Sequence, residues 1–189
     1  VMVGGNAGDT AIGVAPGAQW IAARVFDDQG NATTATIHEG FQWLIDPDGD
    51  PATDDAPDVI NNSWGFRDLV DRCYLEFQTD IQTLKTAGIA VIFSAGNEGP
   101  NPSTSISPAN NPESFAVGAV DSNLSLAGFS SRGPSACILD NDFFPEVVAP
   151  GVNIKVADLT LGLPFAQYTY LDGTSFAAPH VAGGMALLR

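Results

Sequence analysis

Basic residues are scarce in this chain of 189 residues, and long apolar runs are missing. Seven lysines and arginines stand against 22 acidic residues, and the formal net charge is −15. A surface this negative repels phosphate groups, so binding to nucleic acid or to an anionic membrane is disfavoured. The apolar run at 89–93 is typical of the chain and is far shorter than the ~20 residues of a membrane-spanning helix. An acidic surface with only two lysines suits a secreted or a salt-exposed protein.

Cysteine is nearly absent too, since Cys73 and Cys137 are the only two. Their spacing excludes a zinc knuckle and a C-x-x-C redox motif. One disulfide in an exported protein and two buried thiols both remain open.

Hydrophobic residues make up 44% and charged residues 15%, which excludes a disordered tail or a coiled coil. The chain begins at Val1 without a recognisable signal peptide, and we expect it to be part of a longer protein.

Strand-like and helix-like stretches alternate along the chain. The predicted strands are 19–25, 58–64, 89–94 and 114–120, with short candidates at 146–148 and 153–156, and the predicted helices are 33–45, 70–87 and 174–189. Stretch 89–94 is apolar almost throughout, as in a strand buried on both faces of a parallel sheet. The alternation predicts a single α/β domain with a mostly parallel sheet, and functional groups just beyond the carboxyl ends of its strands.

Three loops of small residues carry the polar side chains that could do chemistry: NNSWG at 61–65, SAGNEG at 94–99, and GTSFAAPHVAG at 173–183. A Gly-Thr-Ser triplet alone usually caps a helix. Ser175 at the start of a helix could equally be a nucleophile, because the helix dipole and free N–H groups favour developing negative charge. The small residues after Ser175 favour the second interpretation, because they let the helix run through a core.

These loops resemble the motifs of the subtilisin-like serine proteases. The segment GTSFAAPHVAG is similar to the family's serine motif, SAGNEG to its oxyanion-asparagine loop and NSWG to its substrate-binding strand. IGVAPG at 12–17, FSSRGP at 129–134 and APG at 149–151 match further family segments in the right order. The resemblance covers nearly the whole chain. It implies a three-layer sandwich and a serine endopeptidase that acts by acyl transfer on a polypeptide substrate, with no cofactor required for the chemistry.

The resemblance also implies roles for individual residues. Ser175 would attack the scissile carbonyl, and the side-chain amide of Asn97 together with the Ser175 N–H would hold the oxyanion. One wall of the substrate pocket would be Ser63, Trp64 and Gly65, whose main chain pairs with an extended substrate. Ala95 and Gly96 would form the opposite wall. At the pocket floor Ile106 replaces a common glycine, and we expect a preference for apolar or small side chains, with nothing acidic to bind a basic one unless Glu98 turns inward.

The chain departs from the family at the rest of the triad. The family's order is Asp, His, Ser, and its H-G-T-H-V-A-G motif is absent. His38 and His180 lack that context and are interpreted as structural, and Asp9 lies too late in the order to be the triad acid. The Asp and His would therefore lie upstream of Val1, so that the domain 1–189 is incomplete at both ends. We expect the chain alone to be inactive, and a missing N-terminal segment to be its partner.

Two features carry further expectations. By resemblance, Cys73 and Cys137 follow loops that approach each other near the cleft, which favours a disulfide. The acidic run at 46–55 suggests an oxygen-rich calcium loop with Asp46, Asp48, Asp50 and Asp54 as ligands, although it does not fit the EF-hand template. A solvated acidic insertion is the alternative. The loop 5–11 also aligns with a family calcium site but offers few oxygens beyond Asn6, Asp9 and Thr10.

Two other functions compete with the protease. A non-catalytic extracellular module could keep the protease fold and bind peptide or calcium. The sequence upstream of Val1 distinguishes the protease from the module, because Asp and His motifs there would exclude the module. A nucleotide-binding α/β domain is disfavoured, because no strand pattern precedes the glycine-rich stretch at 4–8.

Overall fold

The computed structural model of the protein describes residues 1–5, 11–138, 143–162 and 167–189. Four parallel strands form a sheet in the order β1 (Val59–Asn62), β2 (Ala90–Ser94), β3 (Phe115–Val120) and β4 (Val147–Pro150). Strand order follows chain order, so each connection between neighbours crosses back over the sheet. The α/β fold with its parallel sheet is confirmed.

Helices cover both faces of this sheet. The first helix, α1 (Thr34–Trp43), and the second, α2 (Gln78–Thr86), lie on one face, where Phe77, Ile81 and Phe93 are fully buried in one core. The third helix, α3 (Thr174–Ala186), covers the other face with small side chains. Its Ala178 is fully buried, and a Cβ on its Gly183 would lie 2.7 Å from the Cβ of Val14. Close packing at these small positions produces the three layers.

Beyond the sheet, the chain forms an antiparallel hairpin of β5 (Ile154–Asp158) and β6 (Gln167–Leu171). A short 3₁₀ turn covers Arg67–Leu69. The sequence predicted most of β5 but not β6, although the Asp-Gly pair that follows QYTYL is a turn signal. Among the described residues, no helix is both long and apolar enough to cross a bilayer.

Four predicted elements differ from the structure, two of them only in where they end. Residues 19–25 are not a strand in the structure, because no described strand pairs with their backbone. The helix predicted over 70–87 begins only at Gln78. Its first part is held by other contacts: Asp71 has a φ of 55°, and its N–H donates to the carbonyl of Ser105. Strand β1 ends at Asn62 rather than at 64, and α3 at Ala186 rather than at 189.

Candidate active site

The carboxyl ends of β1 and β2 bring two of the three small-residue loops together. The two strands are parallel neighbours, with Asn62 opposite Phe93. The loop after β1 carries Ser63 and Gly65, and the loop after β2 carries Gly96 and Asn97. Helix α3 begins at the same edge, since the Thr174 hydroxyl accepts from the Gly96 N–H at 3.3 Å. The structure thus assembles one site from three segments that are distant in sequence.

Ser175 is the second residue of α3 and is half-buried at the edge of the site. The Ser63 hydroxyl donates to the carbonyl of Ser175 at 3.0 Å. The hydroxyl of Ser175 in turn makes a long contact of 3.5 Å to the carbonyl of Ser63. This reciprocal pair fixes the start of α3 against the end of β1, and it leaves the Ser175 hydroxyl only weakly engaged.

Asn97 caps the helix that carries Ser175. Its Oδ1 accepts from the Thr174 N–H and from the Thr174 hydroxyl, both at 2.9 Å. The N-cap residue Gly173 has no side chain with which to cap the helix. Asn97 therefore satisfies one of the free N–H groups of the first turn from outside the helix. Thr174 is fully buried, which makes its hydroxyl a rigid anchor. The amide of Asn97 therefore has a defined orientation, with Oδ1 held and Nδ2 facing the other way.

The two donors assigned to the oxyanion hole are both available. Among the residues that the structure describes, neither Nδ2 of Asn97 nor the N–H of Ser175 has an acceptor. A Cβ on Gly173 would lie 3.6 Å from Nδ2 of Asn97, and Gly173 has a φ of 151°. Glycine thus keeps the space beside the amide open and adopts a conformation that other residues rarely do. An anion placed here would meet neutral donors and the N-terminus of a helix.

Ile106 separates the two predicted walls of the substrate pocket. A Cβ on Gly65 would lie 2.6 Å from Cδ1 of Ile106, and a Cβ on Gly96 would lie 2.8 Å from the same atom. Glycine is required at both positions, and at Gly96 the φ of 106° adds a second reason. Only 3% of Ile106 is exposed. Its side chain fills the space between the walls, so the predicted pocket is shallow and its floor is apolar.

The other predicted wall residues contribute through their backbone. The ring of Trp64 packs into the core, with its centroid 5.8 Å from those of Phe77 and Phe93. Its indole N–H donates to Oδ1 of Asn62 at 3.1 Å. Ala95 is fully buried in the same core. Tight packing fixes the position of these two residues, but their side chains point away from any substrate.

A disulfide joins Cys73 to Cys137 beside the Ile106 loop, as the resemblance implied. The Tyr74 N–H donates to the hydroxyl of Ser107 at 2.9 Å, and the Arg72 carbonyl accepts from Nδ2 of Asn110 at 3.0 Å. The segment around Cys73 is thereby tied to Ser107 and Asn110, which follow Ile106. The cross-link holds the pocket floor in place.

Neither histidine contacts Ser175. In α3, Nδ1 of His180 lies 2.7 Å from the carbonyl of Phe176, one turn earlier. On the far side of the sheet, His38 joins α1 to α2, with Nδ1 2.8 Å from Asp80 and Nε2 3.3 Å from Glu76. Burial lowers the pKa of His38, but the hydrogen bonds to Glu76 and Asp80 and their negative charges outweigh it, so that the pKa is raised. Both side chains have structural partners.

A basic substrate side chain would find no free carboxylate at Glu98. Its Oε1 accepts from Nε of Arg67 at 2.8 Å. The ion pair sits at the mouth of the site and neutralises the acidic residue nearest to Asn97. The apolar or small preference stays a prediction, and Glu98 is paired with Arg67.

The acidic loop brings together a different set of carboxylates from the predicted one. One oxygen each of Asp46, Asp48 and Asp55 lies within 4.8 Å of the others. Asp50 accepts instead from the Ala52 N–H at 3.0 Å, and Asp54 is not in the group. A calcium site here stays a prediction, with Asp55 in place of Asp50 and Asp54. In the loop 5–11, the residues Asn6, Asp9 and Thr10 lie outside the described part of the chain.

Comparison with known proteins assigns the family. The sequence profile described as "Subtilase family" matches residues 1–189. The chain belongs to the subtilase family. It is 42% identical over 197 aligned residues to bacillopeptidase F of Bacillus subtilis (strain 168), and 36% identical over 186 to subtilisin DY of Bacillus licheniformis. The match to bacillopeptidase F covers 100% of this chain and 13% of that protein. The match to subtilisin DY covers 94% of this chain and 56% of that protein.

A solved structure supports the subtilase fold. The prenylagaramide maturation protease PagA is similar to this chain with a TM-score of 0.67 and 25% sequence identity. The match covers 87% of this subtilase chain and 52% of PagA. The chain thus spans about half the length, or less, of the relatives it matches.

The subtilase motifs were recognisable in the sequence, but the hydrogen bonds that position their residues were not. Thr174 was recognisable only as a candidate helix cap, whereas it anchors Oδ1 of Asn97 through two hydrogen bonds. The pairing of Ser63 with Ser175 across the site was not predicted either. A pairwise contact between residues 112 positions apart leaves no periodic signal in a single sequence.

Proposed function

We propose that this chain is the nucleophile-bearing part of a serine endopeptidase. The observation that carries the proposal is the attachment of Asn97 to the first turn of the helix that bears Ser175, where two nitrogen donors are offered, the Ser175 N–H and the Nδ2 of Asn97. The two nitrogen donors have no acceptor among the described residues, and Thr174 fixes the amide that supplies one of them. Preorganised donors of this kind stabilise the oxyanion of acyl transfer.

The reaction would proceed by attack of the Ser175 oxygen on the scissile carbonyl. A general base takes the Ser175 proton, and the carbonyl oxygen takes the negative charge and accepts from Asn97 and the Ser175 N–H. The C–N bond then breaks, and the protonated base gives its proton to the departing amine, which leaves an acyl-enzyme for water to hydrolyse. Neither His38 nor His180 is assigned as that base, because neither contacts the Ser175 hydroxyl. The base and the acid that orients it are assigned to an Asp- and His-bearing segment outside this chain. We expect the 189 residues alone to be inactive for this reason.

The substrate would be an extended polypeptide. Residues 63–65 follow the end of β1, where their main chain could pair with a substrate strand. The side chain that precedes the scissile bond would enter between Gly65 and Gly96 and meet Ile106. Because Ile106 fills most of this space, we propose that small side chains such as alanine are preferred to large aromatic ones.

The named relatives favour a protease over a non-catalytic module. Bacillopeptidase F, subtilisin DY and PagA are peptidases by name, and the matches cover 100%, 94% and 87% of this chain. We further propose an extracellular location, in keeping with the acidic, lysine-poor surface and the disulfide.

The test of this function uses the complete enzyme, which we define as this chain preceded in one polypeptide by a segment with the Asp and His motifs. Asn97→Ala should lower kcat by about 10²–10³-fold, the range for removing one oxyanion donor from a serine protease. KM should stay nearly unchanged, because the contact forms only in the transition state. The matched control is Asn123→Ala, an exposed loop asparagine. An effect on KM alone would mean that Asn97 only binds substrate.

A further inference from the structure

Residues 129–131, the first half of the FSSRGP motif, lie against the loop that carries Asn97. The N–H of Ser131 donates to the carbonyl of Gly96 at 3.0 Å, and the hydroxyl of Ser131 accepts from the N–H of Glu98 at 3.1 Å. These two hydrogen bonds hold the two peptide groups that flank the Cα of Asn97. A single residue thus fixes the backbone on both sides of the candidate oxyanion donor.

Two glycines in the loop allow the two segments to come this close. A Cβ on Gly96 would lie 2.7 Å from Oγ of Ser131. A Cβ on Gly99 would clash with the carbonyl of Ser130. The N–H of Gly99 also donates to the carbonyl of Phe129 at 2.8 Å, at the far end of the contact. Three hydrogen bonds therefore join the loop to this short segment.

The segment is itself fixed on both sides of Ser131. Before it, the N–H of Ser130 donates to the carbonyl of Ala127 at 3.0 Å. After it, the carbonyl of Arg132 accepts from the N–H of Thr104 at 2.9 Å, and the N–H of Arg132 donates to the Thr104 hydroxyl at 2.9 Å. Ser131 is fully buried between these contacts. Its hydroxyl therefore has a defined position in a closely packed site.

Asn97 depends on its neighbours for its position, because its own side chain is exposed. On one side, Thr174 holds Oδ1 of its amide. On the other side, Ser131 holds its main chain. Oxyanion donors act because they are preorganised, so a small shift of the loop would remove part of their effect.

We propose that Ser131 is a positioning residue for Asn97. Its N–H and its hydroxyl fix the main chain of Asn97 and thereby the direction in which Nδ2 points. Because Ser131 is fully buried, it acts on the reaction through Asn97 and not through contact with the substrate. The inference rests on the proposed function, since it assumes that Asn97 stabilises the oxyanion.

A double-mutant cycle in the complete enzyme tests this role. Ser131→Ala removes the acceptor of the Glu98 N–H and should lower kcat by about tenfold, with KM within about twofold of the wild type. In the Asn97→Ala background the same change should lower kcat by less than about twofold, because the donor that Ser131 positions is already absent. A general structural role would lower kcat equally in both backgrounds.

Ser130→Ala is the matched control. Ser130 is also fully buried, and its hydroxyl accepts one backbone N–H at 3.1 Å, as that of Ser131 does. The donor to Ser130 is Ala119 in β3, outside the Asn97 loop, and the backbone contacts of the segment stay in place in this variant. Ser130→Ala should lower the free energy of unfolding about as much as Ser131→Ala, but kcat should stay within about twofold of the wild type.

Each kcat is expressed per folded molecule, which the unfolding curve of each variant supplies. If Ser131→Ala does not fold, Ser131→Cys takes its place, because a thiol has a similar shape and is a weaker acceptor. An unchanged kcat in the Ser131 variant, an equal loss in Ser130→Ala, an equal loss in both Asn97 backgrounds, or a change confined to KM overturns the proposal. Failure of the proposed function is distinguishable, because Asn97→Ala alone would then keep the kcat of the wild type, and the role of Ser131 would fall with it.

Discussion

Thr174 holds the side chain of Asn97 through two hydrogen bonds of 2.9 Å to the same oxygen. One bond comes from the first N–H of α3 and the other from a buried hydroxyl. The helix that carries Ser175 and the loop that carries Asn97 are therefore fixed to each other directly. In this account, the alignment of the oxyanion donors depends on this contact.

Removing the Thr174 hydroxyl should reduce catalysis without touching a reacting group. Thr174→Val in the complete enzyme deletes one of the two bonds to Asn97, and the loss of a bond worth ~1 kcal/mol predicts a fall in kcat of about fivefold. Steady-state kinetics measure it, with KM expected to change little. Thr174→Ser keeps the hydroxyl and should keep most of the activity. Equal kcat values for the valine variant and the wild type would contradict this role.

Shortening Ile106 should widen the choice of substrate. Ile106→Val removes Cδ1, which would lie within 2.8 Å of a Cβ on either Gly65 or Gly96. One methylene in a pocket is worth about 10–200-fold in discrimination, so the ratio of kcat/KM for phenylalanine over alanine before the scissile bond should rise by about tenfold. Peptide p-nitroanilides measure the ratio. Ile92→Val, in the core beneath α3, is the matched control and should leave it unchanged.

The disulfide should stabilise the complete enzyme. Cys73 and Cys137 are 64 positions apart, and closing a loop of that length is worth about 4 kcal/mol in the unfolded state. Replacing both cysteines by alanine should lower the free energy of unfolding by up to this amount, as measured in urea. Thiol titration of the denatured, unreduced protein should find no free thiol, and two free thiols would refute the bridge.

His38 should make stability depend on pH. Its raised pKa means that the folded state favours the charged imidazolium. The stabilisation is complete below the unfolded pKa of ~6.5 and is lost as pH rises through the higher folded value. The Tm difference between the wild type and His38→Gln should therefore shrink above roughly pH 6.5. The double variant Glu76→Gln/Asp80→Asn should remove the same pH dependence, and an unchanged pH dependence would show that these partners do not cause it.

Local sequence patterns predicted the elements that have strong periodicity. The run around Ile92 predicted β2, since a strand buried on both faces must be apolar throughout, and the small residues around Ala178 predicted the buried helix α3. Segment 19–25 has the composition of a strand, but a strand exists only where a neighbour supplies hydrogen bonds. The pattern of one segment does not show whether a neighbouring strand pairs with it.

Specific motifs predicted the positions of Ser175 and Asn97 at one end of the sheet. The contacts that align these two residues were not predicted, because Thr174 and Ser63 act through pairings across 77 and 112 positions. The carboxylates that come together in the acidic loop also differ from the predicted set. Asp50 was suggested by its alternate spacing, but its side chain is used by a turn at Ala52, whereas Asp55 folds back to accept from the Asp48 N–H at 2.9 Å.

Labelling with a fluorophosphonate tests the central claim that Ser175 is the nucleophile. The reagent forms a bond to an activated serine oxygen, and mass spectrometry of the digested protein locates it. The account predicts that the complete enzyme is labelled at Ser175, and that Ser175→Ala and the 189-residue chain alone are not. Labelling at another serine, or no labelling of a folded complete enzyme, would contradict it.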